Sequence, residues 1–250
     1  MFIGFLKTSY IFFRLLVYYF KSFHKKNNIN ILKQKFSIEA LSILGFRIKV
    51  TGHPILKNKL ILVGNHISYL DILVLFAAHP ESVFLAKSEV SQWPLIGSVA
   101  KRIGTLFVVR DSKSSRQGTR LQIENILNTS SKTLQIAAFP SGTTTLNEEK
   151  VWKKGLFEIA KTTNTDVQPF RIRYSHQREC AYIGDDQLFS SLMSLFKIKN
   201  KSVTFEWGQS FRASEVETQI ESTRLWTQQL KFFVKNSKSN QRAVGDNPPA

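Results

Sequence analysis

Short apolar runs alternate with amphipathic stretches along most of the chain. Leu60–Val63, Val83–Ala86 and Thr133–Phe139 are apolar runs of strand length, and Gly104–Arg110 reads as a further buried strand with an arginine at its C-terminal end. Phe46–Thr51 alternates with period two, and Asp166–Tyr174 and 202–207 complete the strand-like set. Between them, Tyr69–Ala78 predicts a helix that stops before Pro80. Ser88 to about Gly104 reads as a helix-like segment with Trp93-Pro94 inside it, 112–129 as a polar helix, and Trp152 to Thr163 as a third. Glu217–Asn236 predicts an amphipathic helix with Ile220, Trp226, Leu230 and Phe233 on its apolar side. Strands alternating with helices over this length predict an α/β domain.

The first 43 residues follow another pattern. Residues 1–23 are strongly apolar and rich in phenylalanine, interrupted by Lys7, Arg14 and Lys21 at intervals of seven. A helix stacks those three on one face, with Tyr18 and Lys25 on the same stripe. An aromatic helix with a narrow basic stripe is the pattern of a helix lying in a membrane interface. A transmembrane span is the competitor, and it would place Arg14 mid-bilayer at a cost of ~2.5–3.5 kcal/mol. A core helix of the globular domain is the third reading. The flank after Lys21 lacks the small residues of a signal-peptide cleavage site. Residues 27–43 predict a second, weaker amphipathic helix with Ile31, Leu32, Phe36, Ile38 and Leu41 on its apolar side. The expected organisation is therefore 1–43 as membrane-associating helices, 44–236 as the α/β domain and 237–250 as a disordered tail.

Composition narrows the partners. The 250 residues carry a formal net charge of +17, spread along the chain, with 42% apolar residues. That charge admits a nucleic acid, an anionic membrane surface or an acidic substrate carrier. The single cysteine, Cys180, rules out an internal disulfide and zinc-finger spacing, and its setting reads as the start of a strand. No aromatic-basic RNA-binding motif is present.

The chemistry-bearing residues gather at strand ends. Gly64 and Asn65 break the run at 60–63, and His66 and Asp71 follow, five apart. On one continuous helix these two would point about 140° apart. They meet only if His66 sits on the turn and Asp71 in the first helical turn. Ser68-x-x-Asp71 is a capping-box pattern that favours this, with Ser68 as N-cap. The pair is then either a general base with its orienting carboxylate, or a polar turn residue with a helix cap. Arg110 ends a strand where α/β sheets bind ligands, and it suits a phosphate as well as a plain surface position. The turn Pro140-Ser-Gly-Thr-Thr-Thr145 could present backbone N–H groups to an anion or serve as an ordinary loop.

Together these residues resemble the glycerolipid acyltransferase family, the 1-acyl-glycerol-3-phosphate acyltransferase group. Asn65-His66-x4-Asp71 matches its first block and Gly104-x-x-Phe107-x-x-Arg110 its second. Phe139-Pro140-Ser141-Gly142-Thr143-Thr144-Thr145 stands where the family has Phe-Pro-Glu-Gly-Thr-Arg-Ser. Lys153-Lys154-Gly155 and Val167-Gln168-Pro169 match further features, in the family's order. The resemblance implies a membrane-associated domain with a mixed, mostly parallel sheet flanked by helices. It implies transfer of a fatty acyl chain from acyl carrier protein or coenzyme A to the hydroxyl of a lysophospholipid, first of all 1-acyl-glycerol-3-phosphate, giving phosphatidic acid. His66 would be the base and Asp71 its orienter. Asn65, Gly104, Phe107, Arg110, Pro140, Ser141, Gly142, Thr143 and Lys154 would bind substrate. No metal, no further cofactor and no nucleic acid is implied, and the expected place is the cytoplasmic face of a bacterial inner membrane.

The third block departs from the family pattern. Ser141 replaces a glutamate and Thr144 an arginine. The lost carboxylate and cation point to another acceptor, such as a lyso-ornithine lipid, or to a catalytically impaired membrane-binding relative.

Overall fold

The computed structural model describes residues 2–109, 112–147, 150–184 and 186–228. Arg110, residues 229–236 of the expected last helix and the tail from 237 lie outside the described residues.

The elements run, in order, α1 (Phe2–Lys21), α2 (Ile29–Ile43), β1 (Phe46–Thr51), β2 (Lys59–Gly64), α3 (Asp71–Ala78), β3 (Ser82–Lys87), a 3-10 turn (Ser88–Gln92) and α4 (Ile96–Arg102). Then come β4 (Leu106–Val108), α5 (Lys113–Thr129), β5 (Leu134–Ala138), α6 (Gly155–Thr162), β6 (Asp166–Tyr174), α7 (Gln177–Cys180), α8 (Leu188–Leu195), β7 (Lys201–Trp207), β8 (Phe211–Arg212) and α9 (Val216–Gln228). The strands form one mixed sheet in the order β1-β7-β6-β2-β5-β3-β4, with β8 paired to β6. Neighbours are parallel except where β6 meets β7 and β8. This is the mixed, mostly parallel sheet that the resemblance implied.

Three elements differ from the sequence pattern. β4 is a three-residue edge strand, with Leu106 and Phe107 half-buried, in place of a longer buried one. The segment after Ser88 breaks at Trp93-Pro94, because the residue before a proline is driven out of the helical region, and only 96–102 is α-helical. Cys180 closes a short helix and does not start a strand. Burial pushes its thiol up to about 12, which suits a packed side chain and no nucleophile.

The central strands are buried on both sides. Leu60, Leu62, Ala137, Phe170 and Phe205 face one cluster, packed against α2, α3, α7 and α8. Ile61, Val63, Ile136, Ala138 and Val167 face the other, packed against α5, α6 and α9. That two-sided burial explains why the strands read as continuous apolar runs. Gly64 has a direct packing reason, since a Cβ there would lie 2.3 Å from the ring of Phe170. Pro169 sits inside β6, level with Val63 of β2 on one side and, on the other, at the point where pairing passes from β8 to β7.

The α1–α2 hairpin packs on the first face. α1 buries Gly4 and Thr8 against α8, where Gly4 approaches Met193 and Phe196. Of the basic stripe only Arg14 turns inward, while Lys7 and Lys21 are exposed. Arg14 pairs with Glu39 of α2 at 2.6 Å, and Lys7 lies over Phe196 at 5.8 Å. Lys25 falls beyond the helix end and does not join the stripe. The outward side carries exposed Phe2, Ile3, Phe5, Leu6, Phe13 and Phe20. By length and composition α1 is also apolar enough to cross a membrane.

Candidate active site

The site forms where β2 ends and the chain turns into α3. Asn65 leaves the strand but keeps its pairing by side chain. Its Nδ2 donates to the carbonyl of Ile172, and its Oδ1 accepts from the N–H of Ile172, both at 2.8 Å. With both polar ends spent on β6, buried Asn65 pins the turn that carries His66 and contacts no open space. The structure therefore gives Asn65 a positioning place, away from a substrate.

His66 and Asp71 meet. Nδ1 lies 2.8 Å from Oδ2, with the imidazole 18% exposed and the carboxylate fully buried. Oδ2 also accepts from the N–H groups of Ile67 at 2.7 Å and Ser68 at 2.9 Å. Oδ1 accepts from the hydroxyl of Tyr174 at 2.7 Å. A carboxylate taking two backbone donors can only accept, so the proton sits on Nδ1 of the imidazole and Nε2 carries the lone pair. Burial first, and then the neighbouring Asp71, raise the Tyr174 pKa well above its ordinary value, so its hydroxyl remains a donor. The imidazole stacks on Phe139 with centroids 4.1 Å apart and 9° between planes.

The capping box is half built. Asp71 reaches back to the Ser68 N–H, but Ser68 Oγ accepts from Leu70, and the helix begins at Asp71 itself. The reason is that Asp71 also faces His66, which draws it into the turn. Tyr174 is the residue that sequence reasoning missed. It stands 103 positions from Asp71, and no local spacing could pair them.

The loop after β5 lies beside this pair. Gly142 takes φ +72°, a conformation that favours glycine. Its N–H donates to Phe139 O at 3.0 Å, and that of Thr145 to His66 O at 2.8 Å, so the loop is tied to the turn that holds His66. Buried Ser141 spends its hydroxyl on Thr143 O at 2.9 Å, and Thr144 donates its hydroxyl to the carbonyl of Tyr182. The side chains that replace the family's glutamate and arginine therefore brace the loop. Pro140, buried, accepts from Lys153 N–H at 3.0 Å, and Thr143 is exposed beside the cavity.

A cavity of about 620 Å³ opens beside His66 and runs between α1, α2, α3, β3 and α4. Gly142, Thr143, Thr144 and Tyr182 line it together with His66, and Tyr19, Ser22 and Arg102 line it from the end of α1 and from α4. Arg102 donates to Ser22 Oγ at 3.0 Å and lies 4.6 Å from the Phe23 ring, joining α4 to the end of α1. Phe107 packs against the first core cluster from β4, and Gly104 turns the chain into that strand with φ +82°. Lys154 is not brought to the site. It precedes α6, on the second face of the sheet, and pairs with Glu158 at 3.1 Å.

The family model described as Acyltransferase matches residues 47–173, just over half of the chain. The chain belongs to the acyltransferase family. A lyso-ornithine lipid O-acyltransferase from Pseudomonas aeruginosa is 34% identical over 165 residues, spanning 64% of this chain and 62% of that protein. A 1-acyl-sn-glycerol-3-phosphate acyltransferase from Neisseria gonorrhoeae is 32% identical over 127 residues, 49% of this chain and 46% of the other. The matched part is thus less than two thirds of the length of each of these two relatives. The crystal structure of the 1-acyl-sn-glycerophosphate acyltransferase PlsC from Thermotoga maritima shares the fold, with a TM-score of 0.63 over 98% of both chains at 20% identity. Within this acyltransferase, His66 and Asp71 fall inside the family match.

Proposed function

We propose that the chain transfers a fatty acyl group from an acyl thioester, on acyl carrier protein or coenzyme A, to the hydroxyl of a lysolipid at a membrane surface. The observation that carries this reading is the His66–Asp71 pair at the mouth of a long apolar cavity. The cavity suits an acyl chain, because burying hydrocarbon stabilises by about 0.8 kcal/mol per methylene. Nε2 takes the proton of the lysolipid hydroxyl as its oxygen attacks the thioester carbonyl. The C–O bond forms, the C–S bond breaks, and the proton passes from Nε2 to the departing sulfur. Asp71 holds the tautomer and balances the imidazolium, as an aspartate does in triads. Gly142, Thr143 and Thr144 line the cavity beside His66, and to this loop we assign the backbone donors for the charge that develops on the carbonyl oxygen. No acyl-enzyme is required, which accords with the buried, unactivated Cys180.

The acceptor we favour is a lyso-ornithine lipid, given the Pseudomonas relative and a loop in which Ser141 and Thr144 have replaced a carboxylate and a cation. The second reading is 1-acyl-glycerol-3-phosphate, supported by the Neisseria relative and by Arg110 in the second motif. The outward phenylalanines of α1 would seat the enzyme in the interface, with the surface charge of +17 drawn to anionic lipid and to an acidic carrier protein. The test is purified protein with labelled acyl thioester and a panel of lysolipids, read by mass spectrometry. Diacylated product is expected, most from lyso-ornithine lipid. Its absence with every acceptor overturns the reading.

A further inference from the structure

The wall of the cavity is not uniformly apolar. Lys33 and Ser37, one helical turn apart on α2, both line it and are 7% and 1% exposed. Lys33 Nζ carries three N–H groups and gives one, to Ser82 O at 3.1 Å, while resting 5.0 Å from the centroid of the Phe76 ring. Ser37 Oγ has no hydrogen-bond partner, although a helical serine commonly returns its hydroxyl to the carbonyl one turn back. Buried polar groups are nearly always satisfied, and each exception calls for an explanation. Here the unpartnered hydroxyl lies one helical turn from a lysine that spends one of its three N–H groups on protein, about 5–6 Å apart at Cβ.

Their height in the cavity follows from strand register. Ser82 is level with Gln135, and Gln135 with Leu60. Leu60 lies four residues before Gly64 in β2, so the Lys33 contact stands ~13 Å below the strand end that leads into His66. An acyl chain with its thioester at His66 meets Lys33 and Ser37 with its distal half.

We infer that Lys33 and Ser37 form a polar station for a hydroxyl on the distal half of the transferred chain, so that distally hydroxylated acyl thioesters are a substrate class of this enzyme. The inference rests on the reading above that the acyl chain occupies the cavity. The substrate hydroxyl accepts from Lys33 Nζ and shares its second bond with Ser37 Oγ. A hydroxyl that lies against the apolar part of the wall, at residues such as Leu70, Leu73 and Phe84, is buried without a partner, which is costly.

The experiment uses the full chain on vesicles with three acyl thioesters of equal length: unsubstituted, 3-hydroxy and distally hydroxylated. The expected result is a kcat/KM for the distal hydroxy chain about tenfold above that for the 3-hydroxy chain, the scale of one hydrogen bond to a charged group. Lys33→Met removes most of that preference and Ser37→Ala part of it, with thermal melting as the check on folding. A wild-type enzyme that treats both hydroxy chains alike overturns the inference, as does a preference unchanged in both variants. No transfer from any of the three chains overturns the acyltransfer reading itself, so the two failures are distinguishable.

Discussion

The two faces of the sheet are built from the same strands and do different things. On the second face, α5, α6 and α9 close over Ile61, Val63, Ile136 and Val167, with Phe157 and Trp152 filling the layer. Its charged groups sit at the rim in pairs such as Arg120–Glu158 and Arg212–Asp166. On the first face, the helices stand off enough to leave a cavity, and His66 lines it with the fully buried Asp71 behind the imidazole. One face is packed for stability. The other gives up contacts to hold a chain and a base, and a network around Asp71 keeps that base in place.

The largest expected effect breaks the first face only. His66→Ala should lower acyl transfer by about 10³-fold or more, the upper range for a general base, while circular dichroism and vesicle binding stay as in the wild type. Full activity in that variant would remove His66 from the mechanism. Phe157→Ala should do the reverse. It opens a void on the second face and costs about 3–5 kcal/mol in denaturant unfolding, with KM of the folded fraction unchanged. A changed KM would show that the faces are coupled.

Tyr174→Phe sharpens the role of the network. It removes the donor to Asp71 Oδ1 and should cost about 1.5–3 kcal/mol. It should lower kcat with KM unchanged, because Asp71 then holds the His66 imidazole less firmly. A loss of stability with kcat unchanged would make Tyr174 a packing residue alone. On the outer side of α1, replacing Phe5, Phe13 or Phe20 by Ser should weaken vesicle partition by about tenfold each, as expected for about half-burying a phenylalanine. Unchanged partition would place the membrane contact elsewhere.

The smallest effect is a pH slope. Burial, opposed by Glu81, lowers the Lys33 pKa from 10.5 to about 8. Between those values the unfolded chain binds more protons than the folded one, so stability rises with pH across that window, by at most about 1.4 kcal/mol per pH unit. Below pH 8 the cost of the buried ammonium is fully present. Lys33→Met should flatten the slope, as read in urea titrations at pH 8 and pH 10.

Much of this was legible in the chain itself. Continuous apolar runs marked strands buried on both sides, and β1 and β6 kept their expected ends at Phe46–Thr51 and Asp166–Tyr174. The pairing of His66 with Asp71 was legible too, because a turn and a first helical turn are local geometry. Elements governed by their neighbours were not. β4 shrank to three residues because it is the sheet edge, where a single ladder supports it. The basic stripe of α1 reads as the mark of a membrane-interface helix, and the ion pair of Arg14 with Glu39 was not legible, because only packing brings α2 near.

What the sequence determined by itself is therefore what short-range physics controls: which segments are strands and helices, and which residues share a turn. The tertiary structure alone decided that Tyr174 donates to Asp71, that Asn65 is spent on Ile172, that Thr144 donates to Tyr182, and that Lys33 reaches Ser82 at the wall of the cavity. Those contacts join residues through the order and register of strands and through helix packing. Local periodicity carries no record of either.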